Sequence, residues 1–160
     1  MAFDGIVRVV KDEDISTPGA TQKYQLGVKH FKNGNEYVYV YAHSAFSAGH
    51  YGVLQQSSSS FTSNYTVTVT NASLAGYLAC VAQAAFTAAD YGFMLTKGVS
   101  LVQLDSGAVS MNAGDLLALG TDGGFVVAGA TFSTAPRFGF MLNSGITAGT
   151  GKGRILGACL

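Results

Sequence analysis

Glu36-Tyr37-Val38-Tyr39-Val40-Tyr41 alternates tyrosine with valine, and Tyr65-Thr66-Val67-Thr68-Val69-Thr70 alternates a hydroxyl with valine. A period of two sends successive side chains to opposite faces of an extended chain, so both stretches predict β-strands. Asn33-Gly34-Asn35 stands just before the first of them. An Asn-Gly pair supplies the left-handed residues of a tight turn, so residues 24–41 predict a β-hairpin.

Residues 77–83, 92–96, 101–104, 116–119, 124–127, 138–142 and 153–159 carry further short strand patterns. Asp105-Ser106-Gly107, Asn112-Ala113-Gly114-Asp115, Thr121-Asp122-Gly123-Gly124 and Asn143-Ser144-Gly145 punctuate them as turns. The Ala-rich residues 72–89 are the one place where a helix competes. Gly76, Tyr77 and Val81 favour a strand there. With 21 glycines and no long amphipathic pattern, the chain predicts an all-β fold. The expected form is a small barrel or sandwich of many short antiparallel strands.

An internal repeat supports that architecture. Ala45-Phe46-Ser47-Ala48-Gly49-His50-Tyr51-Gly52-Val53-Leu54 is echoed by Ala85-Phe86-Thr87-Ala88-Ala89-Asp90-Tyr91-Gly92-Phe93-Met94. The unit is an apolar anchor, a small-residue turn, then an aromatic-Gly pair opening a strand. Residues 131–141, with Phe132, Phe138, Gly139 and Met141, read as a third copy carrying one insertion. Glycine at positions 52, 92 and 139 predicts a bulge or a close backbone approach.

The first 22 residues differ from the rest. Phe3, Ile6, Val7, Val9 and Val10 are apolar, Lys11-Asp12-Glu13-Asp14 is a charge cluster, and Pro18-Gly19 is a loop signal. They predict an extended N-terminal arm over residues 1–22, set against a single β domain over residues 23–160. The alternative is an ordinary first strand. As an arm, Phe3, Ile6, Val7, Val9 and Val10 would contact a neighbour, with Arg8 and Lys11 at the rim. Tyr37, Tyr39 and Tyr41 form an aromatic stripe that suits a core or intersubunit face, or a sugar platform.

Composition narrows the functional classes. Nine Lys and Arg balance nine Asp and Glu among 160 residues, and charged residues make up 11%. Proteins that neutralise phosphates carry surplus Lys and Arg on one face, so no nucleic-acid partner is expected. No apolar run has the length of a transmembrane helix and no polybasic cluster occurs, so no membrane partner is expected either. Asp4 stands where a secretory leader would place basic and apolar residues, which predicts a chain that stays in the compartment where it is made. From Tyr37 to Ala89 there is no Asp, Glu, Lys or Arg. So uncharged a surface favours association, and a homo-oligomer is expected. Cys80 and Cys159 predict buried free thiols, with one disulfide as the alternative.

Gly76-Tyr77-Leu78-Ala79-Cys80-Val81-Ala82-Gln83-Ala84-Ala85-Phe86, continuing through Asp90-Tyr91-Gly92 to Gly98, resembles the core motif of tailed-bacteriophage capsid decoration, or cement, proteins. The strand over residues 37–41 leading to Ala48-Gly49 is similar to the first half of that family. Asn112-Ala113-Gly114-Asp115 is similar to a later strand opening. The resemblance spans residues 24–160. It implies a structural virion protein, made in the host bacterial cytoplasm and bound outside an icosahedral head, commonly as a trimer. It implies the phage major capsid protein as partner.

No chemistry-bearing constellation stands against that reading. His30, His43 and His50 are scattered, with no Cys or carboxylate at metal-ligand spacing. Gly149-Thr150-Gly151-Lys152-Gly153 fails as a phosphate loop, because Ile146 and Gly153 occupy positions that require Gly and Ser/Thr. It reads as a turn carrying one lysine. No Gly-x-Ser-x-Gly elbow is present. No cofactor and no enzymatic turnover are expected. The alternative function is a tail or fibre module holding a host-surface glycan on Tyr37, Tyr39 and Tyr41.

Overall fold

The computed structural model describes residues 10–55, 65–68, 78–105, 110–120, 123–127, 138–146 and 149–156. The chain is all-β, with a single 3-10 turn at Asp12–Ser16 and no α-helix among the described residues. Among the described residues ten strands follow: β1 Lys29–Lys32, β2 Asn35–Ala42, β3 Tyr51–Gln55, β4 Thr66–Thr68, β5 Leu78–Ala82, β6 Tyr91–Gln103, β7 Leu116–Leu119, β8 Phe125–Val127, β9 Gly139–Met141 and β10 Thr150–Ile155. The hairpin predicted at residues 24–41 is β1–β2. It turns at Asn33 (φ 51°) and Gly34 (φ 77°), both left-handed as the Asn-Gly pair requires.

The strands close into two rings with the same wiring. In the first, β2 pairs β4, β4 pairs β3, β3 pairs β5, β5 pairs β6, and β6 returns to β2. In the second, β6 pairs β10, β10 pairs β9, β9 pairs β7 and β7 pairs β8. A parallel bridge between Leu104 and Phe125 closes that ring back onto the end of β6. Each ring thus contains one parallel contact, β2–β4 or Leu104–Phe125, in the same place in the circuit. Strand β6 serves both rings: its first half pairs β2 and β5, and residues 98–103 pair β10.

Each ring has its own filling. Val38, Val40, Leu54, Val67, Cys80, Ala82 and Met94 form one buried cluster in the first ring, plugged by Phe46 and Phe86. Val102, Leu104, Leu117, Phe125, Met141 and Ile155 are buried in the second, with Met111 beside them. Rings of five short strands are narrow, so some inward positions must be glycine. A Cβ at Gly52 would run into Val67 and Phe46, and one at Gly92 would lie 2.7 Å from Phe86. A Cβ at Gly139 would strike the carbonyl oxygen of Arg154.

The repeat is structural, but its third copy is not where the sequence pattern put it. Phe46 and Phe86 pair as an isolated antiparallel bridge, and Met111 and Ile146 pair the same way. After each anchor comes a short polar residue, an alanine and then a left-handed residue: Gly49 (φ 83°), Ala89 (φ 73°), Gly114 (φ 93°) and Gly149 (φ 87°). The N–H of Gly49 donates to Ala82 O (2.8 Å), and that of Gly114 donates to Met141 O (2.9 Å). Met141 therefore corresponds to Ala82, the end of the strand before an arch, and not to Met94 beyond one. Among the described residues four arches show their anchor and left-handed residue, two per ring. Of the expected third copy, residues 131–137 lie outside the described residues.

Other expectations are corrected by the same topology. Residues 92–96 and 101–103 belong to one long strand, with Leu104 just past its end. It passes from ring to ring at Gly98 (φ 125°), where the Asn35 side chain accepts from Val99 N–H (2.9 Å) and donates to Val99 O (3.1 Å). Residues 149–153, read as a turn, open strand β10, because Thr150–Gln103 pairing begins there. Pro18-Gly19 does not detach what precedes it: Gly19 and Tyr91 exchange backbone hydrogen bonds of 3.0 and 2.8 Å.

Candidate functional site

The expected contact residues divide into three groups. Phe3, Ile6, Val7, Arg8 and Val9 lie outside the described residues. Val10 packs against the buried cluster, and Lys11 is exposed, 3.6 Å from Glu13. Tyr37 and Tyr39 are buried, at 7% and 2% exposure, while Tyr41 is half-buried with its ring 5.1 Å from that of Tyr91. The tyrosine stripe is therefore a packed face of the first ring and offers no open aromatic platform.

What covers that face is the chain's own N-terminal stretch. Ile15 and Tyr24 are buried with Tyr37, Tyr39, Phe93 and Leu95, and Leu26 and Val28 pack against them. Tyr24 meets Tyr39 edge-on at 5.3 Å and Phe93 at 5.6 Å. A buried carboxylate ties this cover down. Asp14 accepts from Tyr24 Oη (2.5 Å) and Lys23 Nζ (2.7 Å), and these bonds hold its carboxyl below the usual range. Lys23 N–H donates to Tyr39 Oη at 2.9 Å. Outside, Asp12 sits 3.2 Å from Lys32 and 3.3 Å from His30, and Lys29 sits 2.6 Å from Glu36. So the described part of the expected arm, residues 10–22, lies on its own barrel.

The histidines remain apart. His30 meets Asp12, His43 donates its backbone N–H to Val67 O, and His50 occupies an arch position filled by Asp90 in the next arch. Among the described residues no three His, Cys, Asp or Glu side chains come together as metal ligands. Asp90 and Asp115 accept from the backbone N–H of Thr87 and Asn112, each at 2.7 Å, and so shape their arches. Burial pushes the Cys80 thiol up to about 12, which leaves it protonated and unreactive at neutral pH.

The surface that sequence reasoning missed lies on the second ring. Outward positions of β6 and β10 are Lys97, Val99 and Leu101, with Lys152 and Arg154, all exposed. Register sets Leu101 opposite Lys152 and Val99 opposite Arg154. Arg154 in turn faces Phe140, and Leu142 N–H donates to Lys152 O. The face thus runs leucine–lysine–leucine in one row and valine–arginine–phenylalanine in the next. Val99, Leu101, Leu142 and Leu156 are four of the six exposed large apolar residues described, at 41–53% exposure. The available signal was Lys-Gly-Val-Ser-Leu-Val-Gln, which alternates correctly for a strand, but nothing in it tells which face is covered.

No family model and no curated protein matches the chain. Among solved structures it is similar to the N-terminal base of the head fiber protein gp8.5 of bacteriophage phi29. The TM-score is 0.51 at 18% sequence identity, over 78% of this chain and 96% of that one.

Proposed function

We propose that this is a structural virion protein that binds the outside of a phage icosahedral head and cements neighbouring major capsid subunits. The observation that carries the reading is the shared fold with the phi29 head fiber base, over nearly the whole of that chain. The resemblance of residues 24–160 to capsid decoration proteins points the same way. The reading assigns the chain a binding role with no turnover and no cofactor, and bound copies form a homotrimer on the capsid surface. A protein that binds only the assembled shell stabilises it by mass action.

The test is co-sedimentation of the purified protein with heads from the phage that carries its gene, prepared without it. Saturable binding to intact heads, absent with dissociated capsid subunits, is the expected result. Equal binding to neither would end the proposal. The glycan reading loses the feature that supported it, since Tyr37 and Tyr39 are inside the molecule.

A further inference from the structure

The two rings present corresponding outer faces, and the chain treats them differently. On the first ring, the outward side chains of β2 and β6 are Tyr37, Tyr39, Phe93 and Leu95, covered by Ile15 and Tyr24. On the second ring, the outward side chains of β6 and β10 stay exposed. Every other residue of β6 from Tyr91 to Leu101 lies on one continuous face, so cover stops partway along a single strand.

Charge says what fits there. Lys11, Lys23, Lys29 and Lys32 each hold a carboxylate at 2.6–3.6 Å. Lys97, Lys152 and Arg154 hold none among the described residues, and all three project from the open face. The described carboxylates are otherwise engaged: Asp12, Glu13, Asp14 and Glu36 with those lysines, Asp90 and Asp115 with arch N–H groups, and Asp105 buried. A face-to-face second copy would set three cations against three cations, which like-charge repulsion opposes. The complement must come from another molecule.

We infer that the outer face of β6 and β10 is the docking surface for an acidic protein partner, one presenting apolar anchors interspersed with carboxylates. The cover of the first ring shows the chemistry: Ile15 supplies an apolar anchor directly after the acidic stretch Asp12-Glu13-Asp14. Leu101, Val99 and Leu142 would take the anchors, and Lys152 and Arg154 between them would set the register. A patch of this kind covers on the order of 300–600 Å². That is below the area of a stable one-to-one complex, so binding depends on several copies acting together. The inference rests on the head-binding reading, with the shell surface as the partner.

The experiment is co-sedimentation with heads of the unaltered protein, of Lys97→Gln/Lys152→Gln/Arg154→Gln, of Leu101→Ser, and of Lys29→Gln/Lys32→Gln as a control on the other ring. Thermal midpoints check folding, since all substituted side chains except the half-buried Lys32 are exposed. The face variants are expected to lose binding by about tenfold or more and the control by less than about twofold, with binding of the unaltered protein weakening as salt rises. If the unaltered protein does not bind heads, the head-binding reading falls and this inference with it. If it binds and the face variants bind equally, the face alone is wrong. Duplex DNA and vesicles containing phosphatidylglycerol serve as further probes. Tighter binding to either, lost in the same variants, would replace the protein partner and overturn the proposal.

Discussion

Gly92 has no room for a side chain, because the ring it faces is already filled by Phe86, with Pro18 3.2 Å from where a Cβ would lie. The same holds for Gly52 against Val67 and Phe46. Overpacking a filled core typically costs about 1–3 kcal/mol, so Gly92→Val and Gly52→Val are each expected to lose that much unfolding free energy, read as a lower urea midpoint. Unchanged midpoints in both would mean the rings are wider than described. Asp14 gives a second prediction at this scale. Its folded carboxyl titrates below an unfolded aspartate, chiefly through its bonds from Lys23 and Tyr24. Stability from this group is therefore fully present above the unfolded value of about 3.9 and is lost as pH falls through the lower folded value. Asp14→Asn should cost about 1–3 kcal/mol at pH 7, the penalty of disrupting a buried hydrogen-bonded group, and should lessen the loss of stability on acidification. Urea melts at pH 7 and pH 3 check both; an unaltered acid dependence would show that another carboxylate governs it.

The arches are the element that builds the fold. A left-handed residue is cheap for glycine and costs other residues about 1–2 kcal/mol. Gly49→Ala would add that strain and bring a Cβ to 2.8 Å from Gln103 N, so it should destabilise by at least that amount. Ala89 already bears the strain at φ 73°, so Ala89→Gly should be neutral or slightly stabilising. Opposite signs at these two equivalent positions, read by thermal unfolding, distinguish a true structural repeat from a chance similarity of sequence. Strand existence was legible because the alternation in residues 36–41 and 66–68 matches the pleat of β2 and β4. The Asn33-Gly34 turn was legible because few residue pairs adopt its backbone. The third and fourth arches were not, since Met111 and Ile146 replace the phenylalanine that marked the first two. The N-terminal cover was not legible, because Pro18-Gly19 signals a break in local structure, whereas the Gly19–Tyr91 bridge is made across the molecule.

For the whole molecule, the uncharged stretch from Tyr37 to Ala89 has a partly internal explanation. Strands β2 to β5 wall the first ring, and Tyr37, Val38, Tyr39, Val40, Tyr51, Val53 and Cys80 are buried within one chain. The candidate site was less legible than the fold, because exposure of Leu101 or Val99 depends on what the rest of the chain leaves uncovered. The cover is also a structural part. A chain beginning at Thr21 keeps Tyr24, Leu26 and Val28 but loses Ile15, Asp14 and the Gly19 bridge, which opens part of the cover over Tyr37 and Tyr39. Loss of one large buried side chain alone costs about 2–5 kcal/mol, so this chain should show a much lower thermal midpoint or fail to fold. A chain beginning at Val10 keeps every one of those contacts and should fold; a Thr21 chain as stable as the full one would show that the cover is dispensable.

If the protein holds capsid subunits together from outside, as proposed, a reconstruction of phage heads saturated with the purified protein will show it. Added density is expected on the outer surface, touching at least two shell subunits per copy and meeting them through the face that carries Leu101, Lys152 and Arg154. Heads that gain no density, or copies attached to a single subunit or to the tail alone, would contradict it.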